Sequence, residues 1–242
     1  MSEHKWLSTS HIRINGQRLW DSLMSMAKIG ATDKGGCNRQ ALTSLDKEGR
    51  DLFVSWAKKA GCSIIVDPMG NIIARRAGKF NDFPSVLTGS HLDTQPTGGK
   101  FDGVYGVLAG LEVIRTLNDH EIETEHPIEV VVWTNEEGAR FSPAMIGSGV
   151  WSGEFALEYG HSRVDKEGKS IREELDRIKY LGRDKFTPDS VKAAFEVHIE
   201  QGPILESEGL QIGVLSGVQG MNWYDLIIEG QPCHAAKIHL WV

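Results

Sequence analysis

Residues Ile128–Trp133 read IEVVVW, a near-continuous apolar run that marks a central strand covered on both faces. Just before it, Val104, Val107, Leu108, Leu111, Ile114 and Leu117 recur at helical spacing after Gly103, which predicts a buried helix. Further short β-rich runs fall at Ser63–Val66, 71–74, 85–88, 193–199, 211–215 and 223–228. The first two are separated by Asp67-Pro68-Met69-Gly70, a hairpin-like turn. Helices are predicted over 12–30, ending at Gly30, and from Thr43 to Gly61, with Asp46 as its cap. The charged stretch 165–190 is predicted to be a helical, solvated excursion. Strands alternating with helices define an α/β architecture.

Composition narrows the function classes. The chain has 242 residues, with 33 Asp+Glu against 26 Lys+Arg and a formal charge of −7. No concentrated positive face is available for a polyanion, which argues against nucleic acid as a partner. No segment reaches the roughly 18 consecutive apolar residues of a membrane helix. The N-terminal MSEHKWLSTSHIRINGQRLW lacks the apolar core of a signal peptide. Cys37, Cys62 and Cys233 are odd in number, widely spaced and without a CxxC pair, so they read as reduced thiols of a cytoplasmic protein.

The chemistry gathers where strands give way to loops. The run at 85–88 leads into His91-Leu92-Asp93, and Ile128–Trp133 into Asn135-Glu136-Glu137-Gly138. The run at 193–199 carries His198, with Glu200 just after it, and Asp102 lies between the first two groups. C-terminal strand ends of a parallel sheet share one edge, so these side chains can converge without being near in sequence. Two imidazoles with two or three carboxylates suit Zn²⁺ or Mn²⁺. Singly, an HxD, a Glu-Glu pair or a strand histidine is more often a surface loop, a solvated pair or a hydrogen-bonded core residue. Their order, and the glycines beside three of them, favour a site.

The stretches GSHLDTQPTGGKFDGVYGVLAGLEVIRTL (89–117), WTNEEGARF (133–141) and HIEQGPILE (198–206) resemble the M20-type metal-dependent amidohydrolases. The likeness is closest to the carbamoylase branch, which includes N-carbamoyl amino acid hydrolases, β-ureidopropionase and allantoate amidohydrolase. IGATDKGGCNRQALTSLDKEGR and VDPMGNIIARRAG fit the same branch, and the similarity runs from about residue 12 to Ala235. By matching positions, the resemblance implies that His91, Asp102, Glu137 and His198 hold two divalent metal ions, Zn²⁺ or Mn²⁺ with Co²⁺ as an alternative, with Asp102 bridging. It implies Asp93 as the carboxylate that fixes the His91 tautomer, a cis peptide at Asp102-Gly103, and Glu136 as the general base. Gln201 is matched to a residue that hydrogen-bonds the carbamoyl amide, and His234 to a lid histidine that stabilises the tetrahedral oxyanion across a dimer. The implied reaction hydrolyses an N-carbamoyl amino acid, such as N-carbamoyl-β-alanine, to the amino acid, CO₂ and ammonia.

The sequence departs from the family after His234-Ala235, where a glycine, a hydroxyl residue, a proline and a lid helix are replaced by Ala236-Lys237-Ile238-His239-Leu240-Trp241-Val242. The expectation is therefore an incomplete M20-type catalytic domain over 1–214, followed at 215–242 by the first strands of a truncated α+β lid or dimerisation domain. The resemblance implies a homodimer formed through that lid, and the truncated lid puts dimerisation of this chain in doubt. Three rivals follow: a catalytically inactive remnant that binds metal or pairs with a full-length relative, an allantoate amidohydrolase, and an M20 peptidase.

Overall fold

The structure is a computed structural model that describes residues 11–218 together with Gly220, Tyr224, Leu226 and Glu229. The chain divides into two units at Ile199/Glu200. The first unit holds helices α1 (Gly16–Met26), α2 (Ser44–Lys59), α3 (Val104–Asp119), α4 (Ile146–Ser152), α5 (Leu157–Ser162) and α6 (Ile171–Ile178), with strands β1 (Ser63–Val66), β2 (Ile72–Arg76), β3 (Ser85–His91), β4 (Ile128–Trp133) and β5 (Val191–Phe195). The second holds α7 (Ile204–Glu208).

The five strands form one mixed sheet in the order β1-β2-β4-β3-β5. β1 and β2 make the expected antiparallel hairpin, and β2 runs antiparallel to β4. β3 runs parallel to both β4 and β5. β4 occupies the centre, as its composition demands, with Val130, Val131 and Val132 buried. Val130 and Val132 join the main core with Leu108, Leu111 and Ile114 of α3, Phe53 and Ala57 of α2, and Leu23 and Met26 of α1. Val131 points to the other face, where it clusters with Ile73 and Leu87. This alternation follows from the period-two geometry of a strand.

Local chemistry sets the helix ends. Asn15 caps α1, its side chain accepting from the Arg18 N–H. Thr43, and not Asp46, caps α2: the Thr43 hydroxyl accepts from the Asp46 N–H at 3.2 Å, which frees the Asp46 carboxylate to bind Leu42 N and Arg50 Nε, each at 2.8 Å. The stretch 165–190 is also corrected. Only Ile171–Ile178 is α-helical, opened by a Ser170/Glu173 capping box, and it buries Ile171, Leu175 and Ile178 in the main core. An amphipathic face, and not uniform charge, governs that segment.

β3 extends to His91, three residues past the predicted end, because β4 continues alongside it as far as Trp133. In the second unit, residues 211–215 form no strand; Ile212 and Val214 are 80% and 92% exposed, with no neighbouring strand among the described residues to pair them. The run predicted at 223–228 lies outside the described residues except for Tyr224 and Leu226. No helix among the described residues is long and apolar enough to cross a membrane.

Candidate metal centre

Because β4, β3 and β5 run the same way, their C-terminal ends share one sheet edge. His91 closes β3 and is buried. Its Nδ1 lies 2.8 Å from the backbone carbonyl of Asp93. A carbonyl only accepts, so Nδ1 carries the proton and Nε2 presents its lone pair. That Nε2 stands 3.3 Å from Glu136 Oε2. Gly103 faces the same ring at φ 65°, and a Cβ there would come within 2.4 Å of Nε2. Only glycine combines that backbone angle with that approach.

The Asp93 carboxylate stands 3.9 Å from His91 Nδ1, so the closer hold on the tautomer is the backbone of Asp93. The buried carboxylate has a second task across the sheet edge. It accepts the backbone N–H groups of Glu136 and Glu137 at 3.3 and 3.2 Å, tying the exit of β4 to the exit of β3. Asn135 turns that exit. It adopts φ 53°, a left-handed conformation that Asn tolerates, and its amide donates to the carbonyls of Phe141 and Pro143.

On the other side of the site, His198 Nδ1 lies 2.9 Å from the Ile199 carbonyl, which again leaves Nε2 outward. That Nε2 is 3.2 Å from Asp102 Oδ1. His91, Asp102 and His198 each offer a ligand atom, all within 4.8 Å of one another. Two imidazole lone pairs and a carboxylate at this spacing repel unless a positive charge lies among them, and this donor set fits a divalent ion such as Zn²⁺. Glu137 lies outside that close group. Its Oε2 accepts from Gln95 Nε2 at 2.9 Å, while its buried Oε1 has no hydrogen-bond partner, as a waiting ligand oxygen would.

The electrostatics agree with a cation site. Burial raises the Glu136 pKa above the usual carboxylate range; the nearby His91 opposes this, and the charges of Asp93, Glu137 and Glu196 reinforce it. Burial likewise raises Asp93. For His91, burial disfavours the charged ring, yet Asp93, Glu136 and Glu137 outweigh it and the net shift is upward. The pocket holds more negative charge than its own side chains balance.

Residues 87–238 match the family described as Peptidase family M20/M25/M40. The chain belongs to that family. It is 56% identical to an N-carbamoyl-L-amino-acid amidohydrolase of Rhizobium meliloti over 225 residues, which cover 93% of this chain and 54% of the relative. A second such amidohydrolase, from Geobacillus stearothermophilus, is 42% identical, with 92% and 55% covered. Among solved structures, a hydantoinase/carbamoylase family amidase from Burkholderia multivorans superposes with a TM-score of 0.81 at 66% identity, covering 82% of this chain and 48% of that one. AtUAH in complex with glyoxylate gives a TM-score of 0.73 at 29% identity, covering 83% and 50%. The chain thus spans about half the length of the relatives it matches.

Family M20 is metal-dependent, and the three convergent donors form a group that could hold a metal ion. One expectation drawn from the family is corrected: the Asp102-Gly103 peptide is not cis, the cis bond among the described residues being Ser142-Pro143. The tight approach to His91 is made instead by the positive φ of Gly103. Glu200, also marked by the sequence, sends its carboxylate to the N–H groups of Ile204 and Leu205 at the start of α7. Gln201 lies in the bend before α7, in the second unit, and His234 lies outside the described residues. Sequence reasoning missed Gln95 and Asn135 as organisers of the Glu136-Glu137 loop. Both sit inside the quoted motifs, but nothing in their spacing shows which atoms they meet.

Proposed function

We propose that this chain carries the metal-ligating portion of a C–N hydrolase that acts on N-carbamoyl amino acids. The observation that carries the reading is the convergence of His91, Asp102 and His198 within 4.8 Å, with Glu136 against His91 Nε2. The kinship to N-carbamoyl-L-amino-acid amidohydrolases supports the substrate class, and N-carbamoyl-β-alanine is one member to test. His91, Asp102, His198 and Glu137 would hold two divalent ions, Zn²⁺, Mn²⁺ or Co²⁺. When bound, such ions acidify water and polarise a carbonyl.

The protein's own part is proton handling and orientation. Glu136 is half-buried, has a raised pKa and lies beside His91 Nε2 without being one of the three convergent donors, which suits a base that takes a proton from water. It then delivers that proton to the departing nitrogen, so that the amine leaves neutral. One water and one N-carbamoyl amino acid give the amino acid, CO₂ and ammonia. Asp93 keeps Glu136 and Glu137 in place through their backbone N–H groups. The proposal extends to Gln201 as a contact for the carbamoyl amide and to His234 as an oxyanion donor, on the strength of their motifs.

The test is ammonia release from N-carbamoyl amino acids by the chain supplied with Zn²⁺ or Mn²⁺. Glu136→Ala should abolish release while metal content stays near that of the unaltered chain. Loss of metal with retained activity after refilling would overturn the assignment of Glu136. A second reading, a metal-binding chain without turnover, is favoured by one observation: three donors, and not all four of the expected ligands, converge closely among the described residues. Metal binding with no ammonia release from any carbamoyl substrate would select it. Cleavage of dipeptides with no action on ureido acids would point instead to peptidase chemistry.

A further inference from the structure

We propose that Ser90 and Glu196 form a clasp that sets His198 beside Asp102, which makes Glu196 a positioning residue of the centre. The inference rests on reading that centre as a metal site. The parallel register of β3 and β5 runs only to the Thr88↔Phe195 pair, and His198 lies three residues beyond it. Past that point the Ser90 hydroxyl, 1% exposed, donates to Glu196 Oε1 at 2.5 Å. Ser90 directly precedes His91, so one dipeptide supplies a ligand and also anchors the segment that supplies another.

The opposite side of the segment is limited by α3. A Cβ on Gly106 would meet the Val197 carbonyl at 2.6 Å and the Gly89 carbonyl at 3.0 Å. The 196–198 stretch is thereby fitted between the first turns of α3 and the end of β3. Packing does little else to hold it, because Phe195 and Val197 are exposed and the His198 side chain is 34% exposed. On a segment with so little burial, one short charge-assisted hydrogen bond to a buried hydroxyl decides where the imidazole stands.

The test uses the apo chain titrated with Co²⁺, followed by calorimetry and by the visible absorption of the bound ion, with thermal unfolding of the apo forms alongside. Ser90→Ala and Glu196→Ala should each weaken binding by about 10–100-fold and alter the Co²⁺ spectrum, as loss of an outer partner of a ligand does. Glu196→Gln keeps an acceptor oxygen for Ser90 and should restore binding to within about threefold, with the original spectrum. Apo unfolding temperatures should differ little across the set, because Glu196 is exposed on a lightly packed segment. Unchanged affinity in Ser90→Ala would overturn the clasp. So would a Glu196→Gln variant as weak as Glu196→Ala, which would show that charge and not the bond matters. If the unaltered chain binds no divalent ion, the metal-centre reading itself falls, and the clasp with it; failure of the clasp alone shows as either of these two outcomes while the unaltered chain still binds the ion.

Discussion

His91 and His198 stand with ring centres 6.2 Å apart, yet they are held by opposite means. On the β3–β4 side, His91 and Asp93 are buried, Gly103 closes against the ring, and one carboxylate gathers two backbone N–H groups of the neighbouring strand exit. On the β5 side the strand is exposed along much of its length, and His198 depends on a carbonyl of its own neighbour. A site can therefore be rigid in one half and lightly held in the other. The rigid half doubles as part of the fold, so its residues answer to both stability and chemistry. The lighter half answers to chemistry almost alone.

That contrast can be broken by substitution, most strongly on the β3–β4 side. Asp93→Ala removes the acceptor of two part-buried N–H groups, at about 1 kcal/mol or more each, which should lower the melting temperature by on the order of 5–10 °C. A melting temperature within the scatter of the unaltered chain would show that the two strand exits do not need this carboxylate. Gly103→Ala should cost less stability, roughly 1–3 kcal/mol for the forced backbone, but reduce divalent-ion affinity about 100-fold by displacing the His91 ring. Calorimetric titration beside a thermal melt separates the two quantities, and retained affinity would contradict the close approach.

Acid should loosen the β4 side selectively. Arg140, three residues after Glu137, binds both Asp165 and Glu174, and Arg177 binds Glu174 as well. The Arg177 hydrogen bond first, and Arg140 with it, lowers the Glu174 pKa from 4.5 to about 2 despite burial. A depressed carboxylate pKa stabilises the fold fully above the ordinary value and loses that contribution as pH falls through the native one. The urea midpoint should thus fall between pH 4.5 and pH 2, and Glu174→Gln should flatten this part of the profile. An identical acid profile in the variant would remove Glu174 from the account. The smallest effect on the fold belongs to His198→Ala, expected to change stability by no more than about 0.5 kcal/mol while metal affinity drops sharply. A large loss of stability there would erase the contrast between the two halves.

Much of the fold was legible locally. IEVVVW predicted β4 to the residue, and the Val104-to-Leu117 pattern predicted α3, because burial on both faces and 3.6-residue spacing leave direct marks on composition. The segment 165–190 misled because its charges hide a one-sided apolar stripe, Ile171, Leu175 and Ile178. The short helices α4 and α5 carried no periodic signal long enough to read. Residues 211–215 had strand-like composition, but no partner strand lies beside them among the described residues. At the site, His91, Asp102 and His198 were named from strand-end position and motif, and the structure brings them together. Gln95, Asn135, Ser90 and Glu196 were given no role, since each acts through a hydrogen bond to a residue on another element or turn.

By itself the sequence determined which ligand-type side chains exist, their order along the chain, and that parallel strands would carry them to one edge. Those are properties of residue type and local periodicity. The tertiary structure alone decided which nitrogen each histidine presents, that Asp93 serves the backbone of Glu136 and Glu137, and that Gly103 rather than a cis bond admits the His91 ring. The histidine tautomers depend on how the backbone turns within two residues of each ring, and the other two on strand register and on atoms brought together from distant segments; hydrogen bonds weaken steeply with misplacement. Spacing in one dimension carries no record of such contacts.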